Sequence, residues 1–94
     1  MRISIGCDHA GLELKAKLKA KAEELGHEVA DRGSYFAASV DYPDFAQAVA
    51  CDVAEGQSDR GILICGTGIG MSIAANRFRG VRAALVYDME TARL

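Results

Sequence analysis

The chain has no tryptophan, a single proline and few aromatic residues, 6% in all. It has no C-x-x-C pair, and its cysteines, Cys7, Cys51 and Cys65, are odd in number. Neither a disulfide framework nor a zinc site is indicated, no metal ligand set is expected, and free thiols fit a reducing cytoplasm. An excess of charge is missing too: 11 basic against 13 acidic side chains leave a net charge of −2. No basic stripe points to nucleic acid, and no charge run points to a solvating tail. The apolar runs are far too short to cross a bilayer, so no membrane partner is expected. The opening "MRISIGCDHAG" lacks the apolar region and cleavage site of a signal peptide. Repeats and low-complexity segments are absent. What is present is a globular composition, 50% apolar and 26% charged. A length of 94 residues accommodates one domain, 1–94, with a modest core.

Strand and helix signals alternate along the chain. "RISIGC", 2–7, reads as a short strand, followed by a turn from Asp8 to Gly11. "LELKAKLKAKAEEL" places Leu14, Leu18, Ala22 and Leu25 on one helical stripe, with lysines and glutamates elsewhere. Gly26 stands at the C-cap position, and "HEVAD", 27–31, reads as a second strand. An irregular stretch, "RGSYFAASVDYPD", leads to a helix start marked by Pro43 and its flanking aspartates. Phe45, Val49 and Val53 recur every four residues in that helix, and Gly56 closes it. "RGILIC", 60–65, is a continuous apolar run that suits a central parallel strand. "GTGIG" turns into a third helix at 70–78, "VRAALVY" at 81–87 reads as a fourth strand, and Asp88 opens one more helix. This order predicts an α/β fold, a three-layer, doubly wound, Rossmann-like parallel sheet with right-handed crossovers. The fourth helix is only beginning at Leu94, so the chain reads as the N-terminal portion of a larger unit, its C-terminal part absent.

In such a sheet, ligands bind beyond the carboxyl ends of the strands. "CDHAG" follows the first strand and "CGTGIG" the third. If those strands are neighbours, Asp8, His9, Cys65 and Thr67 share one crevice. The glycines at 66, 68 and 70 allow a tight turn with exposed amides, and a helix N-terminus follows, which together make an anion site. The same glycines also suit a plain strand-to-helix turn with no ligand. A dinucleotide fingerprint misses by one residue, since Met71 stands where its last glycine belongs, although Asp88 lies where a ribose-binding acid would. A Walker loop is excluded by the lack of G-K-[ST].

Cys65 has two readings. A cysteine ending a core strand is commonly a small buried hydrophobe. Amides and a helix N-terminus beside it favour a thiolate, able to act as base or nucleophile. Asp8 either faces the crevice or caps the first helix. His27, Cys7 and Cys51 read as structural, and Tyr42 either reaches a ligand or packs under its loop.

Three blocks carry a family resemblance: "GCDHAG" at 6–11, "SVDYPDFA" at 39–46 and "GILICGTGIGMSIAANRFRGVRAAL" at 61–85. Together, across nearly the whole chain, they resemble the ribose-5-phosphate isomerase B family, whose wider group includes the galactose-6-phosphate isomerase subunits. The resemblance implies a cofactor-free aldose–ketose isomerase of a sugar phosphate, read as ribose 5-phosphate to ribulose 5-phosphate in the pentose phosphate pathway, with a galactose-6-phosphate isomerase-type subunit or a nucleotide- or phosphate-binding module without catalysis as the alternatives. It implies a homodimer or dimer of dimers with sites at the subunit interface.

By that resemblance Cys65 is the catalytic base, and Gly66, Thr67, Gly68, Ile69 and Gly70 form the loop that holds the reacting oxygens. Thr67 contributes a hydroxyl to that loop, and Asp8 and His9 contact the sugar and its phosphate, with Asp8 counted among the catalytic groups. The thiol places the chain with the cysteine branch of the family rather than the carboxylate branch. Tyr87 departs from the smaller or imidazole side chains of relatives. The resemblance also implies a ring-opening histidine and phosphate-binding arginines beyond residue 94. A polypeptide of these 94 residues alone is therefore expected to be unstable or to aggregate, and to be inactive.

The residues agree with that chemistry independently. Moving a carbonyl between C1 and C2 needs a base for a carbon-bound proton and donors for an enediolate oxygen.

Overall fold

The structure, a computed structural model, describes residues 1–8, 11–33, 42–66 and 69–86, leaving aside the side chains of 42–44 and 69. The element order is β1 (Arg2–Cys7), α1 (Leu12–Glu24), β2 (Glu28–Asp31), α2 (Tyr42–Ala54), β3 (Arg60–Ile64) and α3 (Ile69–Asn76). The strands form a parallel sheet in the order β2-β1-β3. The chain leaves β1 towards β2 and then passes back over β1 to β3. Crossovers of one hand running in opposite directions place α1 and α2 on opposite faces. α1 packs on β1 and β2, while α2 packs on β1 and β3 with α3 beside it. This is the doubly wound α/β arrangement expected from the alternating signals.

The two faces are fitted by opposite means. Facing α2, the strands carry small residues: Ser4 pairs in register with Gly61, and Gly6 with Leu63. A Cβ on Gly61 would lie 2.6 Å from Val49 Cγ1, and one on Gly6 would lie 3.1 Å from Val49 Cγ2. The strand glycines therefore let a β-branched helix residue press into the sheet, and Val49 is buried there with Ala46 and Ala50. Facing α1, the bulk lies on the strands, and the small residue, Gly11, is at the start of the helix.

A buried polar cluster fastens the end of α2 to β1. Ser4 donates its hydroxyl to Asp52 Oδ2 at 2.7 Å, and Ser58 Oγ lies 2.6 Å from Ser4 Oγ. Arg32 Nε stands 3.3 Å from the same carboxylate oxygen. Gly56 at φ +78° reverses the chain after α2, and the amides of Gln57 and Ser58 donate to Asp52 O. Gly26 at φ +89° follows α1 in the same way. Both glycine caps stand where the sequence places them, because only a residue without Cβ adopts this left-handed turn without cost.

Two expectations are corrected. The stripe of Leu14, Leu18, Ala22 and Leu25 is not the buried face of α1: Leu14 is 49% and Leu25 63% exposed, whereas Lys15 is 5% exposed. Lys15 goes inside because its ammonium lies 3.0 Å from Asp31 Oδ1 at the end of β2, which compensates for its desolvation. Leu14 and Leu18 instead line a cleft of about 700 Å³ that runs past the free edge of β3. The second correction concerns residues 81–86, which form no strand. They line the far side of that cleft, and the backbone of Ala83 is held by a side chain. Asn76 Nδ2 donates to Ala83 O at 2.9 Å, and Ala83 N donates to Asn76 Oδ1 at 2.8 Å. The side-chain amide thereby occupies both backbone polar groups of Ala83. The remainder of the predicted strand, Tyr87, and the helix expected from Asp88 lie outside the described residues.

Candidate active site

β1 and β3 are neighbours, with Cys7 opposite Ile64. The two chemistry-bearing motifs therefore leave the sheet side by side at its carboxyl end. The strand order reverses between these two strands, which is where open α/β sheets form their ligand crevices. Asp8 follows β1 and Cys65 follows β3, each half-buried at the sheet's lip. The Asp8 amide donates to Ile64 O at 3.0 Å, extending the β1–β3 contact to the residue before Cys65. Cys65 lies just past the ladder rather than within it, unlike the fully buried Cys7.

Gly66 is exposed, and among the described residues nothing lies within 4 Å of where its Cβ would be. Gly70 lies in the first turn of α3, which starts at Ile69. The arrangement joins a thiol, a carboxylate residue and the N-terminal turn of a helix at one end of the sheet. His9, Thr67 and Gly68 lie outside the described residues, as does the Ile69 side chain. The N-cap position of α1 is taken by Gly11. Among the described residues no group of three or more His, Cys, Asp or Glu is placed to hold a metal.

A line of bonds supports this lip from behind. Asp31 Oδ1 accepts from Lys15 Nζ and from the Gly33 amide, both at 3.0 Å, and Lys19 Nζ stands 4.0 Å from Oδ2. Gly33 O then accepts the Cys7 amide at 2.8 Å, one residue before Asp8. Gly33 itself is at φ +104°, and a Cβ there would lie 2.6 Å from the Phe45 ring. The exit of β2 is thereby tied both to α2 and to the residue that precedes the site. Lys15 and Asp31 were not singled out in the sequence, where lysine reads as part of a solvated helix face. The available signal was the pair itself: an acid ending a predicted strand, and a lysine one turn into the preceding helix. His27, read as structural, has its Nδ1 at 3.1 Å from the N-terminal amine, away from the crevice.

The ribose/galactose isomerase family matches residues 3–94. Ribose-5-phosphate isomerase B of Escherichia coli (strain K12) is 48% identical over 93 residues, which are 99% of this chain and 62% of the relative. The structure of Clostridium thermocellum ribose-5-phosphate isomerase B superposes with a TM-score of 0.95 at 49% identity, covering 99% of this chain and 63% of that one. Ribose-5-phosphate isomerase B from Mycoplasma genitalium, solved with bound ribulose 5-phosphate, gives 0.91 at 46% identity over 97% of this chain and 61% of that one. The chain thus spans about three fifths of the length of these relatives. With its fold and nearly its whole length shared at this level, the chain belongs to the ribose/galactose isomerase family.

Proposed function

We propose that residues 1–94 form the N-terminal portion of one α/β isomerase domain that interconverts ribose 5-phosphate and ribulose 5-phosphate. The observation that carries this reading is the position of Cys65: at the carboxyl end of β3, beside Asp8, and directly before the turn into α3. The relative with bound ribulose 5-phosphate supports the choice of sugar.

In this reading the Cys65 thiolate removes the proton from C2 of the open-chain aldose. The C–H electron pair becomes the C1=C2 bond of an enediolate, with negative charge on the former carbonyl oxygen. Backbone amides of residues 66–70 and the N-terminal end of α3 oppose that charge. The Cys65 thiol then returns the proton to C1, while a proton passes between O2 and O1, leaving the carbonyl at C2. The Thr67 hydroxyl assists in the same loop, and Asp8 and His9 hold the sugar and its phosphate. The route calls for a base and oxyanion donors, with no cofactor. The working form is a homodimer or dimer of dimers in the cytoplasm. Among the described residues no helix is long and apolar enough to cross a membrane.

Replacement of Cys65 tests the reading. In a full-length version of the chain, Cys65→Ala is expected to lower turnover of ribose 5-phosphate by about 10³-fold, within the range of general-base catalysis, with KM little changed. Turnover close to that of the parent would take the thiol out of the mechanism. Galactose 6-phosphate, assayed in parallel, tells whether the chain is closer to the galactose branch of its family.

A further inference from the structure

The start of α1 sits in close contact with the end of β3. A Cβ on Gly11 would lie 2.7 Å from Ile64 Cγ2, and 3.0 Å from both Ile64 Cβ and Cys7 Cβ. The Gly11 backbone is at φ −101° and ψ 6°, which any L-residue adopts. Glycine is therefore needed here for space and not for conformation. The nearest obstructing atom belongs to Ile64, a β-branched strand residue whose χ1 is stiff, so its side chain cannot swing aside.

This contact grips the residue before Cys65 from two sides. The Gly11 amide donates to Asp8 O at 3.1 Å and ties Asp8 to the start of α1. The Asp8 amide donates to Ile64 O at 3.0 Å. Ile64 is thus held through its carbonyl by Asp8 and against its side chain by Gly11.

We propose that Gly11 is a positioning residue of the candidate site: its missing side chain lets Asp8 and Gly11 clasp Ile64, and this sets Asp8 against Cys65. The proposal rests on the reading of Cys65 as the working thiol. Gly11→Ala inserts a methyl group into the clasp, pushes the start of α1 from β3 and loosens the lip around Cys65.

The test compares Gly11→Ala with Gly56→Ala, each in a full-length version of the chain. Gly56 lies at φ +78° with open space around it, so its replacement lowers stability without touching the site. The first readout is the alkylation rate of Cys65 with iodoacetamide, separated from that of Cys51 by peptide mass spectrometry. Gly11→Ala is expected to raise this rate severalfold, and Gly56→Ala to leave it at the parent's value. The second readout is kcat against KM for ribose 5-phosphate, where displacement of reacting groups by about 1 Å lowers kcat by about 10²-fold. A double variant, Gly11→Ala with Ile64→Ala, removes the obstructing Cγ2 and is expected to fold and to return both readouts towards those of Ile64→Ala alone.

An unchanged alkylation rate in Gly11→Ala overturns the proposal, as does an equal change in Gly56→Ala. So does a double variant that fails to fold or to recover. A parent protein that does not isomerise ribose 5-phosphate removes the functional reading alone, because the alkylation series still decides the role of Gly11.

Discussion

The surroundings of β1 and the outer edge of β3 are completed by different chemistry. Around β1, polar groups are buried in two clusters: Lys15 with Asp31 at the end of β2, and Ser4 with Asp52 and Ser58 beneath the end of α2. Along the outer edge of β3 the lining is mostly apolar, and among the described residues that edge faces a cleft of about 700 Å³ instead of another strand. Apolar burial is non-directional and grows with the area removed from water, so an apolar edge holds no single geometry until something fills it. Buried charges and hydroxyls tolerate few arrangements, because each unmade bond is costly. The candidate site lies on the boundary between these regimes, with Asp8 carried by the polar side and Cys65 by the apolar side.

The comparison is most directly broken at Asp52. Asp52→Ala removes the acceptor of the Ser4 hydroxyl and the partner of Arg32, and is expected to cost about 3 kcal/mol. The midpoint of urea unfolding measures it, and a cost no larger than that of a surface substitution would deny the cluster its role. Lys15→Met comes next, at about 2 kcal/mol, because it leaves the Asp31 carboxylate with its more distant lysine partner. Hydrogen exchange at the Gly33 amide should quicken in the same variant, since that amide shares the carboxylate oxygen. Unchanged exchange there would cut the proposed line from Lys15 to the site.

The smallest effect is expected on the other side. Asn76→Ala removes two exposed bonds to the Ala83 backbone and should cost about 1 kcal/mol or less. Its effect should be local, with faster exchange at Ala83 and little change at β1. A loss as large as that of Asp52→Ala would mean that residues 81–86 are held as firmly as the polar side, and the contrast would fail.

Much of the architecture could be read before any coordinates. The order of strands and helices follows from the period of the apolar residues. Gly26 and Gly56 are legible because a left-handed turn after a helix selects glycine by local sterics. Asp8 and Cys65 at neighbouring strand ends follow from the motifs, once a parallel sheet with reversing order is assumed. All of these depend on a few consecutive residues and the backbone they imply.

What tertiary structure decided involves residues far apart in the chain. Periodicity groups Leu14, Leu18, Ala22 and Leu25 on one stripe, but it does not state what the stripe meets. The cleft beside β3 left Leu14 half exposed, while Asp31 drew Lys15 inside. The apolar run at 81–87 reads as extended, but a strand needs a partner edge at hydrogen-bonding distance, and in residues 81–86 the Asn76 amide holds the backbone of Ala83. Gly11 looks like an ordinary turn glycine, and only the meeting of β1, α1 and β3 shows that it is required for space. Local sequence determines backbone conformation, because the relevant sterics lie within a few bonds. Which side chains are buried, paired or excluded is set by contacts between elements, and these exist only after the chain has folded.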